Sequence, residues 1–294
     1  MKLKRQSKGD RAFQIGNGLF MIVICLLMIY PVIYVFGRSF MTNVERSSSP
    51  FALFPKDVSF EAYQFIFMRG SYVVNAYMVT IARTVIGSLL SLFVTSLGAF
   101  VLSRKEYPLR IPFTFMVVFT MWFNGGLIPN FLVIQGLGLT NNFLVYLFPS
   151  MISAWNLLIL RNFFFSIPDT LFESARIDGA SDFTLYARIA MPLSGAALAT
   201  IGLFYSVWHW NAWFDALMYN SKRNLWTMQL FLREIILNVQ AMDLLDYSAA
   251  VTVKPPAESV QMATIVVATI PILCLYPFLQ KYFVKGVMVG SLKG

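Results

Sequence analysis

Residues 74–102 read VNAYMVTIARTVIGSLLSLFVTSLGAFVL, a run in which a single formal charge, Arg83, interrupts apolar and small residues. A bilayer core of ~30 Å is crossed by about 20 residues of helix, so this stretch can span with turns to spare. Backbone amides in hydrocarbon must be bonded within their own segment, which makes the run a helix. Five more stretches meet the same test: 16–37, 111–130, 143–163, 191–213 and 260–283. The expected fold is an all-α integral membrane protein with six transmembrane helices over 16–283. A basic N-terminus (1–15) precedes them and a tail (284–294) follows.

Composition agrees. Hydrophobic residues make up 57% of the chain and charged residues 13%, with a mean hydropathy of +0.65. A soluble domain is roughly 45–50% apolar and about 25% charged, so a soluble enzyme wetted on every side is excluded. Disordered, collagen-like and disulfide-stapled classes fall with it. Cys25 and Cys274 each lie inside an apolar run with no metal-ligand spacing, which points to packing. The first apolar run, Leu19 to Phe36, exceeds a signal-peptide core and lacks a small-residue cleavage site, so a retained anchor is expected.

The net charge of +9 suggests nucleic acid until its placement is considered. Loops on the N-terminal side of the spans, with their flanks, hold fourteen Lys/Arg against six acids, whereas the opposite loops hold eight of each. Positive loops stay in the cytoplasm. Both termini are therefore expected on the cytoplasmic side of the membrane, and nucleic acid is not expected as a partner. Membrane lipid is.

Helices in lipid approach closely through small residues at every fourth position. Gly87, Ser91, Thr95 and Ala99 form such a ridge on the second span, and Ser194, Gly195, Ala196, Ala197, Ala199 and Gly202 form another on the fifth. Packing within the chain and packing against a partner subunit both fit these ridges.

The longest inside loop, 164–190, carries its own signals. Pro168 breaks the preceding helix. Thr170 and Glu173 have the spacing of a capping box, Leu171, Phe172 and Ala175 give the short helix an apolar side, and Asp178-Gly179 closes it. Ser181 is placed to start a second helix through Phe183, Leu185 and Ile189 to Met191-Pro192. A short capped helix ahead of a long span can serve as a lever, or it can lie in the headgroups.

Glu173-Ser-Ala-Arg-Ile-Asp-Gly-Ala180, followed by Ile189-Ala-Met-Pro192, resembles the EAA loop of ABC importer permeases. Ser174 stands where that family has Ala, and Met191 where it has Leu. Trp210-Asn-Ala-Trp-Phe-Asp-Ala216, the tail Lys285–Gly294 and Phe54–Tyr63 resemble its carbohydrate-uptake branch, closest to permeases for plant-wall oligosaccharides such as pectic or aldouronate fragments. The resemblance runs from about residue 15 to the end. It implies a homologous second permease, two cytoplasmic ATP-binding subunits that hold ATP and Mg, and an extracellular solute-binding lipoprotein. It also implies that Glu173, Ser174, Ala175, Asp178, Gly179 and Ala180 dock on an ATPase subunit, with no cofactor or catalysis in this chain.

The expected substrate path draws on Arg83, Trp208, His209, Asn211 and Trp213. An arginine inside a span is a functional hypothesis by default, and its fork suits a carboxylate; snorkelling or bonding to carbonyls is the structural alternative. Aromatic faces stack on sugar rings while Asn211 and His209 bond hydroxyls, yet Trp also gathers at any membrane interface and a lone His is often a packing residue. Lys222, Arg223 and Arg233 are candidates for the lipoprotein contact, balanced by Asp243, Asp246 and Glu258. No GxxxxGK[ST] phosphate loop is present, so ATP hydrolysis is not expected here. A secondary transporter or channel for a small polar solute is the rival reading, but such proteins often use buried Asp, Glu or His for coupling. These spans offer Arg83 and His209 alone.

Overall fold

The computed structural model describes residues 8–42, 45, 48–49, 52–68, 71–245 and 258–274, and its regular elements are helical. Two expected spans are single helices, α1 (Lys8–Arg38) and α3 (Ser71–Ser103), separated by the short α2 (Glu61–Met68).

The third span is not one helix. α4 (Arg110–Trp122) and α5 (Leu127–Gly136) meet at 118°. The break is local chemistry: Gly126 takes φ +87°, and the Asn124 side chain accepts bonds from the Gly126 amide at 2.9 Å and from Asn130 Nδ2 at 3.1 Å. The fourth stretch also departs from expectation. Asn142 caps a 3₁₀ turn at Phe143–Tyr146, Pro149 follows without an amide to donate, and Ser153 caps a helix, α6, that covers only Ala154–Phe165. The fifth begins later than expected. Met191–Leu193 belongs to α8 (Asp182–Leu193), which turns 85° into α9 (Gly195–Asn211) at Ser194. By length and apolarity two described helices can cross a bilayer, or four if each bent pair is one span. The remaining helices are α7 (Asp169–Ile177), α10 (Phe214–Tyr219), α11 (Met228–Leu245) and α12 (Glu258–Cys274). Residues 275–283 of the sixth stretch, the tail 284–294 and Asp246 lie outside the described residues.

The chain divides into two units, Met1–Arg69 with Glu234–Thr269, and Gly70–Arg233 with Ile270–Gly294. In the first, Arg38 pairs with Glu258 at 3.0 Å, Ser259 Oγ donates to the Met41 carbonyl, and Phe40 stacks on Tyr63.

The second unit is built on α3, which packs along α9 and α6. The ridge of small residues allows this approach: Ser91, Thr95 and Ala99 are buried, and a Cβ on Gly202 would stand 3.4 Å from Leu92 Cδ2. Hydroxyls bond across the seam where hydrocarbon offers no water, Thr95 to Tyr205 at 2.7 Å and Ser96 to Tyr186 at 2.7 Å. Phe100, Leu160, Phe164, Phe172, Leu185 and Ile201 fill the core.

Candidate functional site

The loop 164–190 folds into α7 and α8. Pro168 occupies the N-cap of α7 and the helix starts at Asp169, so the capping box expected of Thr170 and Glu173 does not form. With Pro168 at the N-cap, Thr170 and Glu173 fall at the second and fifth helical positions, and Asp169 in the first turn is held by Lys105 Nζ at 2.7 Å. That hydrogen bond keeps the Asp169 carboxyl below the usual carboxylate range.

The other end closes as the sequence implies. Gly179 takes φ +82°, its amide donates to the Arg176 carbonyl at 3.0 Å, and the Ala180 amide reaches the Ala175 carbonyl at 2.9 Å. These two bonds make a Schellman cap. Ser181 then caps α8 by accepting from the Thr184 amide at 3.3 Å.

One face of α7 is rooted. Phe172 is buried beneath the Arg104 guanidinium, 3.9 Å from its ring centre, and beside Phe100, while Ala175 and Ala180 pack against the same core. Arg176 bridges Glu106 at 3.1 Å and Asp182 at 3.3 Å. The opposite face is open: Glu173, Ser174, Asp178 and Gly179 are exposed, and Ile177 is 88% exposed.

Away from that end of α3, three irregular segments converge. Phe123–Gly125, Phe148–Ser150 and Ala212–Trp213 line one cavity of about 820 Å³. Non-helical backbone at membrane depth is tolerated where it faces protein or a water-filled cavity, so the breaks and the cavity explain each other. Trp208, Asn211 and Trp213 reach its wall, as do Asn124 and Asn130. Arg83 and His209 do not line it.

Arg83 is fully buried behind the wall. Its Nη1 donates to Asp215 Oδ1 at 3.0 Å and its Nη2 to Oδ2, a bidentate pair. Nη1 also approaches the Ala212 carbonyl, Nε meets His209 Nδ1 at 3.5 Å, and the guanidinium lies 4.6 Å from the Tyr146 ring centre. His209 occupies the space opened by Gly87: a Cβ there would come within 2.6 Å of the imidazole. Asp215 therefore shows the cavity a carboxylate already answered by a cation, and it is the one charged residue on the lining among the described residues.

Asp215 was legible only as an acid just past the fifth span, because its partner lies 132 residues away. Asn141 escaped notice as well. It adopts φ +55°, its amide donates to the Tyr219 carbonyl, and its Oδ1 accepts from the Ser221 amide and hydroxyl, which pins α10 to the loop before the 3₁₀ turn. Arg233 lies over Trp213 at 4.2 Å and Arg223 over Trp226 at 5.6 Å. Glu258 pairs with Arg38.

The profile of a family described as binding-protein-dependent transport system inner membrane component matches residues 90–289. The chain is 42% identical over 277 residues to the polygalacturonan/rhamnogalacturonan transport system permease protein YtcP of Bacillus subtilis (strain 168), covering 94% of this chain and 96% of that one. It is 37% identical over 288 residues to protein LplC of the same organism, covering 98% and 97%. Among solved structures it is similar to a chain of a bacterial ABC transporter involved in the import of the acidic polysaccharide alginate, with a TM-score of 0.85, 33% identity, and coverage of 96% of this chain and 100% of that one.

Proposed function

Since the chain belongs to the family of binding-protein-dependent transport system inner membrane components, we propose that it is one permease subunit of an ATP-driven oligosaccharide importer in a bacterial plasma membrane. The observation that carries this reading is α7, a capped helix with one face rooted in the core around Phe172 and the other, with Ile177, presented outward. A force applied to the open face reaches α3 and α9 through Phe172, Phe100 and Tyr186. The chain carries no phosphate loop of its own, so the force comes from two cytoplasmic ATPase subunits that bind ATP and Mg. A homologous second permease completes the path and an extracellular lipoprotein delivers the sugar. Catalysis lies outside this chain.

The excess of basic residues at the α7 end supports a cytoplasmic position for that end and for both termini. The cavity then opens toward the far side. Its rings and amides suit sugar faces and hydroxyls, with Trp208, Asn211 and Trp213 as contacts. Acidic oligosaccharides are favoured as the substrate class by the relatives named for polygalacturonan and alginate transport. Because the lining offers no unpaired cation among the described residues, uronate carboxylates are met outside this cavity, on the partner permease or the lipoprotein.

The test is ATP-dependent uptake of a labelled oligogalacturonide by proteoliposomes holding the full assembly. Gly179→Val, which forces a β-branched residue to φ +82°, and deletion of 170–180 should each abolish uptake while the protein remains in the membrane. Normal uptake by either variant overturns the lever.

A further inference from the structure

Arg110 opens α4 and Arg161 lies in the last turns of α6, and both line a groove of about 330 Å³ completed by Ile111, Thr114, Phe115 and Val118. Neither arginine has a carboxylate partner among the described residues. Arg161 is fixed in place: its Nε donates to the Leu102 carbonyl at 3.0 Å and its guanidinium stands 5.9 Å from the Phe165 ring centre. That anchorage uses one donor and leaves the fork of Nη1 and Nη2 for something else.

The apolar part of the groove has a direction. Positions 111, 114, 115 and 118 share one face of α4, and Ile111 and Phe115 are 72% and 70% exposed. At 1.5 Å per residue the stripe from Arg110 to Val118 runs about 12 Å, comparable with the ~15 Å depth of one leaflet's hydrocarbon.

We propose that this groove binds an anionic phospholipid, its phosphate between Arg110 and Arg161 and one acyl chain laid along Ile111, Phe115 and Val118. Two guanidinium groups on one groove without a counter-charge repel each other and are relieved by an anion, and an arginine fork matches phosphate oxygens in pairs. A soluble anion gains nothing from the apolar stripe. A zwitterionic lipid brings its own cation against two arginines. Basic pockets between transmembrane helices hold acidic headgroups on this principle.

The experiment uses the whole assembly in nanodiscs, with spin-labelled phosphatidylglycerol or phosphatidylcholine as probe, and reads the motionally restricted fraction. Wild type should prefer phosphatidylglycerol by up to roughly thirty-fold, the scale of two basic residues at about five-fold each. Arg110→Gln, which leaves Arg161 and its bond to Leu102 in place, should lower that preference about five-fold. Arg188→Gln, at an exposed arginine on α8, should leave the preference intact. Equal binding of both lipids by wild type, which would also follow if the partner permease covers the groove, overturns the proposal. So does an unchanged preference in Arg110→Gln, or an equal loss in Arg188→Gln, which would mean diffuse surface charge. Displacement of the lipid by excess inorganic phosphate would show a plain anion site and overturn the lipid reading too.

Discussion

Arg83 and Asp215 form an ion pair that draws α3 to the segment after α9. Removing one member of a buried pair strands the other, at a cost of about 3–5 kcal/mol, whereas neutralising both costs far less. Arg83→Gln is therefore expected to lower the amount of folded permease and to reduce uptake of a uronide and a neutral oligosaccharide alike. The double variant Arg83→Gln/Asp215→Asn should recover much of the folded protein, and thermal denaturation of the four proteins in a double-mutant cycle checks it. A selective loss of uronide uptake would instead return Arg83 to the sugar. Gly87 belongs to the same knot. Gly87→Ala pushes a methyl onto the His209 ring and should cost about 1–3 kcal/mol by overpacking, read as a lowered melting temperature that His209→Ala partly restores.

At the scale of elements, α7 is held by two kinds of contact of very different weight. Lys105–Asp169 and the two Arg176 bridges are largely exposed, and such pairs contribute ~0–1 kcal/mol each and weaken with salt. Phe172 is buried against Phe100 and Arg104, and truncating a buried phenylalanine costs about 3–5 kcal/mol. Phe172→Ala should thus uncouple ATP hydrolysis from uptake, while Lys105→Ala changes uptake by less than about five-fold; ATPase and transport rates measured on one preparation separate the two. The Asp169 contribution has a clear sign with pH. Its carboxyl is depressed by Lys105, so the tie is complete above the ordinary aspartate range and is lost only as pH falls below it. Neutral and mildly acidic assays should leave the coupling of wild type unchanged.

For the whole molecule, the cavity defines which residues meet water. In a background with Cys25 and Cys274 replaced, Asn211→Cys should react with a membrane-impermeant thiol reagent added outside intact cells, because Asn211 lines the cavity. His209→Cys, whose parent residue is fully buried, should stay unlabelled. Labelling of Asn211→Cys only from the inside would invert the topology drawn from the basic loops.

What could be read from residues 74–102, and from the loop with Asp178-Gly179, was chemistry that acts within a few positions. Apolar length, a left-handed glycine closing a helix and Ser181 as a cap are each complete in themselves, and the structure has them where they were expected. The capping box at Thr170 failed on equally local grounds, since Pro168 holds the N-cap and leaves Thr170 inside the helix. The small-residue ridge of α3 announced a close neighbour without naming it, and α9 is that neighbour. Chain order determined that this is a helical membrane protein and where its helices are able to start and stop. Tertiary structure alone decided that three apolar runs break or turn, that the breaks in the third and fourth meet the end of α9 around one cavity, and that Arg83 faces Asp215 rather than solvent. Apolar helices carry no record of their partners, because hydrocarbon rewards any apolar face equally, and only close packing and buried polar pairing choose among them.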